Sequence, residues 1–516
     1  MRYGRSGDTM RSGGDELIIG IGHQYEVKGI PERQLPVTLP ARSLMHAHCI
    51  GKSGYGKSYW LASLFVMLLS RGVSATLIDP SGDLARLVLK LMIATRFFET
   101  CPDAFQRLVY IDLPRAARRN YYPPFNVLNA SFDPYSAADM VLEAFKRAWP
   151  ALKGGTSTNI EILVKTGAYV LAVNQRPLLP YLSDLFTDAA FRDQMLAHVT
   201  DPVVLNTFTA FGFTRGGQVP AALLPTMKRL HLLSFAPILR YSLGQRDNLF
   251  DFRRLLDEQR SLVLNLNLDS PDAMRFFGCF TTVYAEAGAK SRGHTDAKRR
   301  HGVHLLILDE FQNFVAQSSD SLSTILEECR KYGLYLCLAH QYWDQVPDGM
   351  RGALNQCELE ATFHLERTDA KISEEMMGFP FIEYLRKPTP INPRKPLEFV
   401  PQFFSRQEQR DFHIDEIVGL PKREAIVRLP GAQFYRMRTL DIDVSGVTDA
   451  ALSAVEDTYL KCYFRSKEEI EADFNRSRST QARDSRLLTV DEQHQDDAQD
   501  SASDTEPDEA DDYELF

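Results

Sequence analysis

The chain has 516 residues, which is long for a single hydrophobic core, and its 44% hydrophobic and 25% charged residues are typical of folded proteins and exclude wholesale disorder. Its net charge of −9 is localised, because residues 491–516 hold twelve of the 68 acidic side chains and no Lys or Arg. The rest of the chain is therefore slightly basic, which is compatible with nucleic-acid binding but does not require it.

Cysteine usage and hydropathy indicate a soluble cytoplasmic protein. The longest apolar run, Tyr59 to Leu69, is interrupted by Ser63 and is too short to cross a bilayer, so we expect no integral membrane segment. The N-terminus lacks the apolar core of a secretory signal. The cysteines are odd in number and form no CxxC pair, which argues against a disulfide framework or a zinc ribbon. They are Cys49, Cys101, Cys279, Cys329, Cys337, Cys357 and Cys462.

Along the chain, α/β patterning gives way to a long helical stretch and then returns. Alternating apolar residues predict strands, and apolar residues spaced at three and four predict helices. This order predicts an α/β fold with a mostly parallel sheet, interrupted by an inserted all-α domain. The predicted divisions are N-terminal strands (1–40), first half of the α/β core (41–132), all-α inserted domain (133–245), second half of the core (246–440), helical extension (441–475), and disordered linker with acidic tail (476–516).

A glycine-rich motif of the pattern G-x-x-x-x-G-K-[ST] lies between a predicted strand and a predicted helix. Its glycines let backbone N–H groups turn toward phosphates at a helix N-terminus. Lys57 would reach the β- and γ-phosphates, and the Ser58 hydroxyl would ligate Mg²⁺. The alternative is a glycine-rich turn with a chance Lys-Ser. The predicted nucleotide-binding residues are Gly51, Lys52, Ser53, Gly54, Tyr55, Gly56, Lys57 and Ser58.

A second motif, HLLILDE, places two carboxylates after a run of apolar residues. At the end of a buried strand, Asp309 would hold Mg²⁺, and Glu310 would polarise a water for attack on the γ-phosphate. An acidic helix cap is the alternative when this motif is taken alone. Together with the phosphate-binding loop, it favours a motor ATPase with ATP and Mg²⁺ as its cofactors.

Asp79 follows another predicted strand and leaves two interpretations open. Asp79-Pro-Ser-Gly82 resembles the DxxG switch of GTPases, but the chain has no NKxD guanine-reading motif. A GTPase is therefore disfavoured. Asp79 is either a nucleotide-binding carboxylate at the ligand edge of the sheet or a plain turn cap.

The segments GKSGYGKS, LIDPSGDL, LDEFQNF and ILEECRKYGLYLCLAHQY together resemble the FtsK/HerA superfamily of hexameric motors. Within it they are most similar to the TraG/TraD-like coupling-protein ATPases of conjugation and type IV secretion. The resemblance spans roughly residues 40–440 and implies a RecA-like (ASCE) P-loop fold in a homo-oligomeric, hexameric ring. Membrane-bound coupling proteins begin with transmembrane helices, and the lack of any here favours a soluble relative.

The resemblance also implies individual roles. Lys57 would bind nucleotide, Asp309 would bind Mg²⁺, and Glu310 would be the catalytic carboxylate. Gln341 would sense the γ-phosphate, and Arg330 would be an arginine finger offered to a neighbouring subunit. Without the resemblance, Arg330 is a surface cation near a helix C-terminus, favoured there by the helix dipole.

Three functions fit these motifs, because the chemistry at the γ-phosphate is the same in each. The first is a DNA translocase in conjugative or mobile-element DNA transfer, with DNA and a relaxase or secretion channel as partners. The others are an ATPase that powers protein secretion and a HerA-like defence ring that acts with a partner effector. Basic clusters at Arg115–Arg119 and Lys298–Arg300 either line a DNA channel or are solvated loops.

Overall fold

An eleven-stranded sheet organises the residues that this computed structural model describes. The described ranges are 16–25, 34–40, 45–128, 132–149, 158–213, 224–293, 302–314, 319–383, 386–392 and 395–476. The predicted disordered tail beyond residue 476 and the basic cluster Lys298–Arg300 lie outside them.

The strands are short and mostly buried. In chain order they are β1 (Glu16–Gln24), β2 (Leu35–Pro40), β3 (Ala47–Ile50), β4 (Ser74–Asp79), β5 (Leu108–Asp112), β6 (Tyr121–Tyr122), β7 (Ser261–Asn265), β8 (His304–Asp309), β9 (Leu334–His340), β10 (Leu359–Thr362), β11 (Arg386–Asn392), β12 (Lys395–Phe403), β13 (Glu424–Leu429), β14 (Gln433–Arg438) and β15 (Arg465–Ser466).

The sheet order is β2-β1-β14-β13-β10-β3-β9-β8-β4-β7-β5. From β10 to β5 all neighbouring strands pair in parallel, whereas β13, β14, β1 and β2 extend the sheet as an antiparallel ribbon. Two separate ribbons pair β11 with β12 and β6 with β15. In the parallel part, β9 lies between β3, which leads into the phosphate-binding motif, and β8, which ends in Asp309. This arrangement is the α/β fold that the sequence patterns predict, and its strand order is the RecA-like one that the motif resemblance implies.

Helices cover both faces of the sheet. In chain order they are α1 (Lys57–Ser70), α2 (Asp83–Ala94), α3 (Phe97–Thr100), α4 (Ala104–Arg107), α5 (Leu113–Arg118), α6 (Pro134–Ala148), α7 (Thr158–Val173), α8 (Tyr181–Thr187), α9 (Ala189–Leu196), α10 (Pro202–Ala210), α11 (Leu224–Phe235), α12 (Pro237–Ser242), α13 (Phe252–Asp257), α14 (Pro271–Lys290), α15 (Ser319–Lys331), α16 (Asp348–Leu354), α17 (Arg367–Met377), α18 (Arg406–Gly419) and α19 (Asp449–Tyr463). Residues 467–476 are also helical.

Local sequence explains where several helices begin. Asp133 accepts hydrogen bonds from the first backbone N–H groups of α6, and Ser270 does the same for α14, with proline as the next residue in both. Ser405 and Glu408 form a capping box at the start of α18. Among the described residues, none of the helices is both long enough and apolar enough to cross a membrane.

The predicted inserted segment, 133–245, contains the helices α6 to α12, joined by turns, and no strand among its described residues. Its apolar side chains belong to the same hydrophobic core as α14 and one face of the sheet. Phe145 of α6, for example, packs edge-on against Phe276 of α14, with ring centroids 5.2 Å apart. The segment therefore packs on the α/β core, and its status as a separate domain stays a prediction.

Candidate functional site

The phosphate-binding motif forms a tight loop between β3 and α1. Gly54 and Gly56 have φ angles of +82° and +113°, a region that residues with a Cβ rarely adopt. A Cβ on Gly56 would also lie 2.8 Å from the Cα of Arg423. The N-cap residue of α1, Gly56, has no side chain to cap the helix, so the first backbone N–H groups can bind an anion.

Lys57, the first residue of α1, joins this loop to the carboxylates at the end of β8. Its Nζ donates to Asp309 Oδ1 at 2.6 Å and to Glu310 Oε1 at 3.2 Å, and the side chain is only 6% exposed. Burial by itself lowers the pKa of Lys57, but attraction by the two carboxylates outweighs it and raises the pKa above its usual value. The site therefore holds a permanent ammonium where the loop meets the acidic pair.

Glu310 lies in a strained conformation and is surrounded by amide donors. Its φ of 49° and ψ of 53° are left-handed, which costs a non-glycine residue roughly 1–3 kcal/mol and is concentrated at functional sites. Gln341 Nε2 donates to Oε1 at 2.7 Å, while Gln312 and Gln345 donate to Oε2 at 2.9 and 3.3 Å. Burial raises the pKa of Glu310, but Lys57 and the hydrogen bonds from Gln312 and Gln341 outweigh it and lower the pKa below its usual value. Glu310 is therefore an ionised carboxylate.

Asp309 and Ser58 provide the donor set that the sequence assigns to Mg²⁺. Asp309 is 4% exposed, and burial raises its pKa, an effect that Lys57 only partly offsets. Ser58 follows Lys57 on α1 and is half-buried. A carboxylate and a hydroxyl oxygen beside a phosphate-binding loop are the ligands that Mg²⁺ prefers, so these residues fit the ion.

The remaining residues of the loop are held from outside it. Lys52 forms a hydrogen-bonded ion pair with exposed Glu366, and Tyr55 stacks on His364 with ring centroids 4.0 Å apart. The backbone N–H of Arg423 donates to the Tyr55 carbonyl at 2.7 Å. Gly51 is buried and Ser53 is exposed. The side chain of Lys52 therefore points to Glu366. The predicted contact of Lys52 with nucleotide would be made by its backbone.

Asp79 lies at the same edge of the sheet, at the end of β4, but both of its oxygens are engaged locally. Oδ1 accepts from the backbone N–H and the hydroxyl of Ser81, and Oδ2 accepts from the N–H of Ala85, each at 2.8 Å. These are the hydrogen bonds of a turn cap. Of the two interpretations that the sequence leaves open, the structure favours the cap.

Arg330 lies at the opposite edge of the sheet from the phosphate-binding loop, where the parallel strands begin. It is near the C-terminus of α15, just before β9, whereas Gln341 follows β9. A seven-residue strand is about 20 Å long, so Arg330 does not reach the phosphate-binding loop of its own chain. Its side chain is 61% exposed, and its Nη1 lies 3.8 Å from Glu358. This position agrees with an arginine that faces away from its own site, and its action on a neighbour stays a prediction.

Two of the three arginines in the Arg115–Arg119 cluster are paired with α19. Arg115 contacts Glu456 at 2.8 Å and Asp457 at 2.7 Å, and Arg119 contacts Asp457 at 2.6 Å. These ion pairs attach α5 to α19. They give the cluster a structural task, which disfavours the DNA-channel interpretation, and the helix shows that Arg115 is not on a solvated loop.

Sequence reasoning did not identify Gln312 or Gln345 as part of the site. Gln312 lies two residues after Glu310, but Gln345 is 35 positions away and is oriented by a short 3₁₀ helix, Trp343–Gln345. Gln345 also accepts from the backbone N–H of Gln341 at 2.9 Å. The available signal was the repeated glutamine, at positions 341 and 345, after a strand that ends at the ligand edge.

The chain matches no protein-family model and no curated protein. Among solved structures, it is similar to the bacterial conjugative coupling protein TrwBdeltaN70 in its unbound form, with 16% identity, 85% of this chain and 91% of that chain covered, and a TM-score of 0.48. For the plasmid coupling protein TrwB in complex with ADP and Mg²⁺ the identity is 16%, the coverage 86% and 93%, and the TM-score 0.48. For VirB4 of Thermoanaerobacter pseudethanolicus the identity is 12%, the coverage 82% and 96%, and the TM-score 0.47. TrwB is a coupling protein, the class that the motifs of this chain resemble.

Proposed function

We propose that the protein is a Mg²⁺-dependent ATPase that uses hydrolysis to drive a motor. The observation that carries this proposal is the convergence of four side chains at one edge of the sheet. These residues, Lys57, Asp309, Glu310 and Gln341, lie at or after the ends of three adjacent strands, β3, β8 and β9, and they meet at the N-terminus of α1. A cation, two carboxylates and an amide at an anion-binding loop are the parts that phosphoryl transfer to water requires.

Each residue has a separate task in this scheme. The loop and Lys57 bind the phosphates of ATP through backbone N–H groups and the ammonium. Glu310, which is ionised, accepts a proton from the attacking water. Gln341 and Gln345 fix the Glu310 carboxylate through their amide groups. Mg²⁺ held by Asp309 and Ser58 would neutralise charge on the phosphates.

Phosphate release from ATP tests this proposal directly. We expect hydrolysis in the presence of Mg²⁺ and none after EDTA is added. ATP should be preferred to GTP, because the sequence lacks the motif that reads guanine. If the folded protein neither binds nor hydrolyses any nucleoside triphosphate, the proposal is wrong.

We further propose that the motor is a hexameric ring that moves DNA in conjugative or mobile-element transfer, with a relaxase or a secretion channel as its partner. This proposal follows from the motif resemblance. Mass photometry should detect six copies, and DNA should stimulate hydrolysis in a salt-dependent way, since phosphate contacts weaken as salt rises. Hydrolysis that is indifferent to DNA would instead favour the protein-secretion ATPase or the defence ring with its effector.

A further inference from the structure

A row of polar side chains crosses the sheet just beneath the site. Glu360 of β10 is opposite His48 of β3, and His48 is opposite Leu338 of β9. His340 lies two residues beyond Leu338, so its side chain is on the same face as the other two. Glu360, His48 and His340 are 3%, 1% and 0% exposed. Polar groups buried this deeply need hydrogen-bond or charged partners within the protein.

These side chains contact one another in sequence. His48 Nε2 lies 2.8 Å from His340 Nε2, and His340 Nδ1 lies 3.0 Å from the carbonyl oxygen of Tyr342. On the other side, His48 Nδ1 lies 3.6 Å from Glu360 Oε1, and Glu360 Oε2 accepts from Arg428 Nη2 at 3.0 Å. The row therefore runs from β13, through the strand before the phosphate-binding loop, to the turn that contains Gln341.

The direction of the central hydrogen bond follows from its ends. A carbonyl oxygen only accepts, so His340 Nδ1 carries the proton and donates to Tyr342. Burial lowers the pKa of His340 well below its usual value, so this ring is neutral and its Nε2 accepts. His48 Nε2 must then donate. This assignment makes His48 the residue that holds the ring of His340 in place.

Aromatic rings close off the pair. The ring of Trp343 lies 5.3 Å from His48 and 5.0 Å from His340, and Phe311 lies 5.7 Å from His340, measured between centroids. Phe311 and Trp343 are fully buried. Water therefore has no ready access to replace a lost partner of His340.

We propose that the His48–His340 hydrogen bond positions Gln341 against Glu310, an inference that rests on the proposed ATPase function. His340 directly precedes Gln341, and its Nδ1 donates to the carbonyl of Tyr342, the residue after Gln341. The imidazole therefore closes the turn from which Gln341 reaches Glu310. His48 lies three residues before Gly51 and ties this turn to the phosphate-binding strand. His48 and His340 are positioning residues, and Gln341 is the residue that they place.

The test compares two substitutions of His48. Leucine at this position removes the donor, whereas glutamine carries an N–H at a similar distance from the backbone. We expect His48→Leu to lower kcat about tenfold with KM for ATP within about twofold, because small misplacements of catalytic groups mainly affect the transition state. His48→Gln should recover most of that loss. Equal kcat values for His48→Leu and wild type would overturn the proposal, as would an equal loss for both variants.

His46 provides the matched control. It lies two residues earlier, is 5% exposed, and bonds to the Leu326 carbonyl at 2.8 Å and the Leu336 N–H at 3.0 Å, away from the site. His46→Leu should lower the thermal midpoint as His48→Leu does but leave kcat per folded molecule unchanged. A tenfold kcat loss in His46→Leu would show a general packing effect and contradict the proposal. If the wild-type protein hydrolyses ATP and Lys57→Ala does not, the proposed ATPase function holds whatever the His48 variants show. The His48 result then tests only the positioning of Gln341.

Discussion

The two ends of the parallel strands differ sharply in what they hold. At the carboxyl ends, Lys57 and Asp309 are buried, Glu310 is mostly buried, and Lys57 bonds to both carboxylates. At the amino ends, Arg330 is largely exposed, and its contact with Glu358 spans 3.8 Å. Burying charges costs several kcal/mol of stability per ion unless they are well paired. An exposed ion pair contributes only about 0–1 kcal/mol to stability. The cluster at the carboxyl ends therefore lowers stability unless it is well paired, which indicates that it is kept for a function. The exposed Arg330–Glu358 pair does not by itself indicate a function.

Lys57→Ala should have the largest effect on the carboxyl end. It removes the ammonium that binds phosphate and leaves buried Asp309 and mostly buried Glu310 without their counter-charge. We expect no measurable hydrolysis, loss of ATP binding, and a free energy of unfolding lower by roughly 3–5 kcal/mol. Nucleotide titration and chemical denaturation measure the two effects. Lys57→Met, which keeps the apolar stem, separates loss of charge from loss of packing, and normal hydrolysis by either variant would contradict the assignment.

Arg330→Ala tests whether the amino end has a function in an assembly. If Arg330 acts on a neighbour, hydrolysis falls by about 10³-fold, the lower range for arginine fingers, with little change in stability. Mixing Arg330→Ala with Lys57→Ala protein should then restore some activity, because an intact loop meets an intact arginine from the next subunit.

Lys331→Ala is the control for Arg330, since Lys331 is exposed in the same last turn of α15. It should leave hydrolysis unchanged. If Arg330→Ala alone is fully active, Arg330 is only a surface cation. The catalytic function would then be confined to the carboxyl ends of the strands, where the buried charges lie.

Glu310→Gln separates binding from chemistry at the carboxyl end. The amide keeps the volume of the side chain but cannot accept the proton, so hydrolysis should fall roughly 10²–10³-fold. ATP affinity should stay within about threefold of wild type, because Lys57 keeps Asp309 as its closer partner. Fluorescent-nucleotide binding and single-turnover kinetics check both values. Wild-type turnover would remove Glu310 from its catalytic role.

Gln341→Ala should have a smaller effect, since it removes one of three amide donors to Glu310. We expect kcat to fall about tenfold, roughly the value of one hydrogen bond to a charged group. Gln356→Ala is its counterpart at the amino end, where the exposed amide of Gln356 bonds to Glu327 at 3.3 Å. Steady-state rates of the two variants sharpen the comparison, and equal rates would mean that the location of Gln341 does not matter.

Asp79→Ala should change stability more than activity. Asp79 is fully buried and accepts three hydrogen bonds that close the turn before α2. Removing it should lower the free energy of unfolding by about 1–3 kcal/mol and leave ATP affinity per folded molecule unchanged. A selective loss of ATP affinity would restore Asp79 as a nucleotide-binding residue.

Local patterns were sufficient for much of the fold and the site. Glycine spacing before an apolar helix predicted the loop at Gly51–Ser58, and an apolar run ending in two acids predicted the strand before Asp309. These features depend on neighbours a few positions apart, so a sequence window contains them. Gln345 and the His48–His340 pair escaped prediction, because their partners lie on other strands, 35 or more positions away.

The sequence by itself determined that this chain is an α/β protein with a phosphate-binding loop, an acidic pair after a buried strand and a long helical segment. Helices and strands have side-chain periodicities of a few residues, so these features can be recognised in a short stretch of sequence. Only the tertiary structure decided the strand order that places β9 between β3 and β8, and with it the contacts of Gln341 and Glu310. It also assigned Asp79 to a turn, one of the two interpretations that the sequence left open. Such choices depend on which strands pair, and pairing is a property of the whole sheet that no local segment encodes.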